Sequence, residues 1–261
     1  MLSDATRDAI QRWVAAKFDL TADQIIETPW YFKSHGPTLA DYHGVYIWRL
    51  GRTLIVSAPP DAIDAMLGAL GGNQPVGMIY APDSHDPFDA VGEAGFWLVL
   101  LGDQVERIVG PSYQGFVDTA TFQPADEQGQ EQGARPLTAA DQPALQRFIA
   151  ACPTDAWQDS AIAPDHEPII GLERDGELIA LASAPPDGSA DAGVRSVGVV
   201  TLPAWRGRGA GLAVVSALTA HCLARGAILH YQTLRANLPA VAIARRLGYE
   251  DVATALAIRL R

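Results

Sequence analysis

The 261-residue chain is poor in cysteine, poor in lysine and without long apolar runs. Each scarcity excludes something. The two cysteines, Cys152 and Cys222, are far apart and lack metal-ligand spacing. They read as small core residues rather than as a disulfide or a metal site. No apolar run approaches the length that crosses a bilayer, so no membrane partner is expected. The start, MLSDATRDAIQRW, is polar and lacks the basic-then-apolar layout of a signal peptide, so a soluble cytoplasmic protein is expected. Lys17 and Lys33 stand beside 17 arginines, and no basic surplus exists, because the net charge is −11. Residues 1–134 hold 18 acidic against 7 basic side chains, whereas residues 135–261 hold 12 of each. Nucleic-acid binding needs a basic footprint and is excluded on this ground. The acidic first half permits attraction of a cationic substrate, although solubility alone explains it equally well.

Hydrophobic residues make up 48% of the chain, enough for a sizeable core. The polar stretch QPADEQGQEQG, with Pro and Gly and no apolar periodicity, marks a linker over 123–134. It separates a first domain over 1–122 from a second over 135–261. In the first, Ile10, Trp13, Val14 and Phe18 fall at helical spacing within Ser3–Phe18, with Ser3 or Asp4 as cap. Val45–Leu50 and Thr53–Ser57 flank Gly51-Arg52 as a hairpin. Pro59 and Pro60 open a helix that places Ile63, Met66, Leu67 and Leu70 on one face and ends at Gly71-Gly72-Asn73. Phe96–Leu101 (FWLVLL) is expected to be a buried strand. Asp83–Asp89 (DSHDPFD) reads as a solvated acidic loop before it reads as a metal site, because nothing sets ligand geometry.

The second domain shows a regular alternation of elements. Asp141 is expected to cap a helix through Ala151, with Pro143 in its first turn. A short helix follows near Thr154–Ala161. Ile169–Glu173 and Glu177–Ala184 are joined by Arg174-Asp175-Gly176, a hairpin signal. Val194–Thr201 is a third strand, Ala227–Leu234 a fourth and Val252–Leu260 a last, with a helix over Pro239–Leu247. Between strand VRSVGVVT and helix GLAVVSALTAHCLAR lies Arg206-Gly207-Arg208-Gly209-Ala210-Gly211. Glycines there let a ligand approach the backbone, and the unpaired N–H groups of a helix start attract an anion. A Walker loop is excluded because no lysine is present, and a dinucleotide fingerprint fails because Leu212 or Val214 stands where the third glycine belongs. What remains is Arg-x-x-Gly-x-Gly at 206, 209 and 211.

Val199-Val200-Thr201-Leu202-Pro203-Ala204-Trp205 followed by that loop resembles motif A of the GNAT superfamily of N-acetyltransferases. Asn237-Leu238-Pro239-Ala240 with Arg246-Leu247-Gly248-Tyr249 resembles its motif B. The resemblance covers about 125 residues in matching order. It implies an α/β (α+β) fold: a C-terminal GNAT-like mixed sheet flanked by helices, preceded by a smaller α+β domain that is either a degenerate copy or an unrelated cap. It implies acetyl-CoA as cosubstrate, no metal, and a small-molecule amine as acceptor. Backbone groups of Val199, Val200 and Thr201 would meet the pantetheine arm as an added strand. N–H groups from Arg206 to Gly211 would hold the diphosphate. Asn237 would contact the pantetheine, cap the next helix, or do both.

The chemistry asks for a neutral amine, and a base to remove its proton. A backbone N–H near Val200–Thr201 is expected to stabilise the oxyanion. The tyrosine that many family members place seven residues after the motif B asparagine is Ala244 here, and the third strand lacks the glutamate that some use as base. Tyr249 fits the glycine-aromatic ending and is assigned to the core. The candidates for proton transfer are His166, Glu167 and His230, each weighed against ordinary structural duty. Catalysis by positioning alone also satisfies the sequence. The alternative from another class is a protein that binds acyl-CoA without turnover, motivated by Ala244.

Overall fold

A computed structural model describes residues 1–27, 30–71, 92–125, 133–187 and 193–261. Its elements run α1 (Asp4–Lys17), α2 (Ala22–Glu27), β1 (Trp30–Ser34), β2 (Gly44–Leu50), β3 (Thr53–Ala58), α3 (Pro60–Gly71), α4 (Ala94–Leu101) and β4 (Val105–Val117). They continue with β5 (Arg135–Pro136), α5 (Gln142–Ala151), α6 (Thr154–Asp159), β6 (Ile169–Arg174), β7 (Glu177–Ser183), β8 (Val194–Ser196) and β9 (Gly198–Thr201). The last are α7 (Ala210–Leu223), β10 (Ile228–Leu234), α8 (Leu238–Arg246) and β11 (Glu250–Leu260). Two compact units result. One holds Asp8–Gln114, Thr233–Ala236 and Val252–Arg261; the other holds Met1–Arg7, Gly115–Gln232 and Asn237–Asp251.

In the first unit, β1 runs parallel to β3, β3 is antiparallel to β2, and β2 is antiparallel to β11. The β2–β3 hairpin turns at Gly51-Arg52, where Gly51 takes φ +57°. The helical spacing of α1 buries Ile10, Trp13, Val14 and Phe18, and Trp13 meets Trp48 edge to face at 5.7 Å. Val45, Ile47, Leu54, Val56, Ile63 and Met66 form the core together with Phe96, Trp97, Leu256 and Ile258.

Two expectations are corrected here. Phe96–Leu101 is helical, as part of α4, and not a strand. An unbroken apolar run carries no period, and this one has only one β-branched residue, Val99, beside three leucines of high helix propensity. Helical geometry buries Phe96, Trp97 and Leu101 and leaves Leu98 and Val99 exposed. Leu67 is likewise exposed and does not join Ile63 and Met66 inside. Gly72-Asn73, Asp83–Asp89 and 126–132 of the linker lie outside the described residues.

In the second unit, β5, β6, β7 and β9 form an antiparallel sheet in that order. The β6–β7 turn uses Asp175 and Gly176 at φ +51° and +80°. On one face Leu145, Phe148 and Cys152 of the α5 region pack against Ile169, Leu181 and Val200. Helix α7 packs against β6 and β7, and nine of its residues, among them Val214, Val215, Leu218 and Cys222, are buried. Both cysteines are buried and unpaired, as small core residues are. Asp141 stands before α5, but its carboxylate turns back to the Thr138 amide (2.7 Å) and binds Arg135 through two bonds (2.9 and 2.6 Å). At the end of α8, Gly248 adopts φ +82°, and a Cβ there would lie 1.9 Å from the Thr121 carbonyl oxygen. Only glycine fits this stop.

Asp118 anchors the N-terminal residues to this unit. It accepts hydrogen bonds from the Ser3 amide (2.9 Å), the Ala120 amide (2.9 Å) and the Thr121 amide (3.1 Å). Burial acts to raise its carboxyl, but the bonds from Ser3, Thr6 and Ala120 outweigh burial and hold it at about 2, against an ordinary 3.8. The carboxylate form is therefore favoured in the folded state. Its contribution, about 2 kcal/mol, is complete above pH 4 and disappears as the pH falls toward 2. Asp118→Asn should cost about that much in urea unfolding at pH 7, and the deficit relative to the parent should vanish near pH 2. An equal deficit at both pH values would assign the effect to packing instead.

Candidate functional site: a parted strand pair and a glycine loop

The stretch Val194–Thr201 forms two strands, not one. Val194–Ser196 (β8) runs parallel to β10, with Ser196 opposite His230. The Val197 amide donates to the His230 carbonyl at 2.8 Å, and from Gly198 onward the chain pairs with β7 instead. β9 is thus the edge of its sheet. The strand leaves β10 at Val197, and two backbones diverge from that point. The Leu202 amide donates to the Ile179 carbonyl at 3.0 Å, so alternate residues of β9 turn toward β7. Val200 shares that orientation and packs its buried side chain into the core. Val199 and Thr201 point their backbone groups to the open edge, as a strand-like ligand requires. The Thr201 carbonyl already accepts from Arg206 Nε at 3.2 Å.

Beyond β9, Gly207 and Gly209 take φ +73° and +88°. No atom lies within 4 Å of where a Cβ would stand at Gly207, so the turn is open there. Gly209 is the cap of α7, and the first amide bonded back to it is that of Ala213, at 3.0 Å. The amides of Ala210, Gly211 and Leu212 therefore have no partner within the helix. Gly211 lies close to Thr201 and Val199: a Cβ on it would come within 3.3 Å of Thr201 Oγ1 and 4.0 Å of Val199 Cγ2. This brings the open edge of β9 and the start of α7 together. The Arg208 guanidinium stacks over Trp205 at 5.3 Å. Asn237 caps α8, its Oδ1 accepting from the Ala240 amide at 3.4 Å.

The three proton-transfer candidates occupy different surroundings. His230 is fully buried on β10, stacked on Phe116 at 4.6 Å. Its Nδ1 lies 3.3 Å from Asp187 Oδ2 and 3.5 Å from Ser196 Oγ. His166 Nδ1 accepts from the Ala163 amide at 3.2 Å and meets Ser183 Oγ at 3.1 Å. Glu167 uses its carbonyl to accept from Arg195 at 3.0 Å. His166 and Glu167 line a cavity of about 770 Å³ whose wall does not include His230. Asp187 and Phe116 escape a reading of the sequence. Asp187 lies 43 residues from its histidine, on a loop without periodicity. Tyr249 keeps to the core, its hydroxyl 2.8 Å from Thr219 Oγ1. Ala244 is fully buried. Among the described residues, no three His, Cys, Asp or Glu side chains converge as a metal site. No described helix is long and apolar enough to cross a membrane.

The Acetyltransferase (GNAT) family model matches residues 135–249, which include the parted strands, the glycine loop and α8. These residues are a GNAT acetyltransferase domain. The family assignment rests on this match. No curated protein matches the chain. Solved structures similar to it include a GNAT-family protein from Novosphingobium aromaticivorans DSM 12444, at 21% identity over 60% of this chain and 67% of that one, with a TM-score of 0.44. Others are an acetyltransferase from the GNAT family from Colwellia psychrerythraea (16% identity, 63% and 61% covered, TM-score 0.46) and a GCN5-related N-acetyltransferase from Kribbella flavida (23% identity, 61% and 62% covered, TM-score 0.43). The chain thus spans about two thirds or less of the length of these proteins. The GNAT domain's mixed strands and flanking helices accord with the fold that its motifs imply.

Proposed function

We propose that the chain is an N-acetyltransferase that moves an acetyl group from acetyl-CoA to the amine of a small, cationic or amino-acid-like substrate in the cytoplasm. The observation that carries the proposal is the parting of β9 from β10 beside the open turn at Gly207 and Gly209. One feature offers strand-edge backbone groups, the other unpaired amides at a helix start. A pantetheine arm joined to a diphosphate needs both, in that order. In this reading Val199 and Thr201 bind the arm, residues Arg206 to Gly211 hold the diphosphate, and Val200 supports them through its core side chain. We assign this work to residues within 135–261, of which Val252–Arg261 pairs with β2 and counts with the first unit; 123–134 is the linker, and the α+β region before it is either a degenerate copy of the same fold or an unrelated cap.

A lysine-like amine, with a pKa of about 10.4, must lose a proton before its nitrogen can attack a thioester. His230 suits the task, because a carboxylate beside Nδ1 fixes the ring's tautomer and offsets the charge it gains. The Thr201 amide, on the open edge, is placed to donate to the carbonyl oxygen as negative charge grows there. Ala244 supplies no acid, so water protonates the departing sulfur. The buried Ala244 also motivates the second reading, a protein that binds acyl-CoA and does not turn it over. Thiol release from acetyl-CoA, followed with a panel of amines and amino acids, separates the two. Release that depends on the amine is expected. Tight binding with no release from any acceptor would overturn the enzymatic reading.

A further inference from the structure

We propose that the GNAT domain carries a second ligand site, distinct from the parted strands, that binds a zwitterionic α-amino acid with an apolar side chain. The site is the cavity between the β5 edge, the C-terminal end of α7 and the segment before β6. None of Val197 to Thr201 lines it, nor does His230 or the glycine loop. β5 and β9 are opposite edges of one four-stranded sheet, so about 14 Å of sheet separates them at the usual spacing.

Charge of both signs lines this cavity. Arg195, Arg225 and His221 line it, and so do Asp165 and Glu167. Among the described residues, the Arg195 guanidinium donates to the carbonyl oxygens of Glu167 and Ala184, and that of Arg225 to the His221 carbonyl, at 2.8 Å. Among the described residues neither guanidinium pairs with a carboxylate, and neither Asp165 nor Glu167 pairs with a cation. The remaining acid on the wall, Asp141, is held by Arg135. Arg195 and Arg225 both line the wall beside His221, whose pKa is lowered by burial first and then by these two cations. A carboxylate entering there would relieve their mutual repulsion and gain charge-assisted hydrogen bonds. An ammonium group would find Asp165 and Glu167. Leu137 and Leu145 add apolar wall for a side chain. Cations and carboxylates lining one cavity, with apolar surface nearby, complement a ligand that carries both charges itself.

The bland account of Arg225 and His221 is that cations suit the C-terminal end of a helix. It covers those two residues, but not Arg195, which stands on a strand, nor the presence of Asp165 and Glu167 on the same wall. The experiment is calorimetry on the full chain with leucine, leucinamide and 4-methylpentanoate, each without and with saturating coenzyme A. Leucine should bind in both conditions. Leucinamide, lacking the carboxylate, and 4-methylpentanoate, lacking the ammonium, should each bind at least tenfold more weakly. Arg225→Gln should weaken leucine at least tenfold, Asp165→Asn should narrow the gap between leucine and 4-methylpentanoate, and Gly209→Asp should leave leucine binding intact. Absence of leucine binding to the folded parent protein overturns the proposal. So does equal binding of leucine and 4-methylpentanoate, or loss of leucine binding in Gly209→Asp. Because leucine is measured without coenzyme A, failure here leaves the acyl-transfer reading standing, and failure of acyl transfer leaves this one.

Discussion

Gly209→Asp should reduce coenzyme A affinity by at least a hundredfold, while Gly209→Asn loses about tenfold or less. The pair separates charge from shape. Both side chains must adopt φ +88°, a conformation that Asn and Asp tolerate better than other residues. Both add similar bulk to the turn, so shape alone does not separate them. Only Asp sets a negative charge at the helix start, where the dipole and the free amides of Ala210, Gly211 and Leu212 otherwise favour an anion. One unit charge about 4 Å from another costs about 1 kcal/mol in water and about 4 kcal/mol at an effective dielectric of 20. A diphosphate carries more than one charge, so the loss falls well inside what calorimetry resolves. The difference between Asp and Asn should shrink as salt is raised, because exposed charges are screened. Equal affinities for the two variants at low salt would remove the diphosphate from this turn.

The glycine loop and α7 were legible in the sequence because their signals are local. Gly207 and Gly209 advertise positive φ, and the alanine-rich stretch after them has strong helix propensity. Motif B was legible for the same reason: Gly248 marks a helix stop that no larger residue fits. The Val194–Thr201 strand was legible as an apolar run, but its division at Val197 was not. Which neighbour a strand pairs with depends on β7 and β10, and neither partner writes its register into the strand itself. Phe96–Leu101 failed for want of a period, since burial of a helix and burial of a strand look alike over six residues. The surroundings of His230 were illegible on principle. Its carboxylate partner and its stacking partner come from distant segments, and only the fold brings Asp187, Ser196 and Phe116 around one ring. The same holds for Arg195 and Arg225, ordinary surface arginines by sequence, which the fold sets around one cavity.

Replacement of His230 is expected to have the largest effect on turnover. If its imidazole takes the proton from the acceptor amine, its removal should lower kcat by about a hundredfold or more, within the range for general-base catalysis. His230→Ala would leave a hole beside Phe116 and confuse loss of a base with loss of packing. His230→Phe keeps a ring against Phe116, and His230→Gln keeps a polar group beside Asp187. Both variants should bind coenzyme A as the parent does, because the loop at Gly207 and Gly209 is untouched. Both should lose the rise of kcat/KM with pH that a base imposes on its acidic limb. Asp187→Asn should cost less, about tenfold, and should displace that limb without abolishing it, since the imidazole remains but its charged form loses a stabilising partner. A merely structural Asp187 would leave the limb where it was. His166→Ala should change kcat by less than threefold, because His166 Nδ1 is already bonded to the Ala163 amide and Ser183. A His230→Phe enzyme with parental kcat and an unaltered pH profile would transfer the role of base away from β10. In that case proton loss to bulk water, with catalysis by positioning alone, becomes the mechanism that the parted strands support.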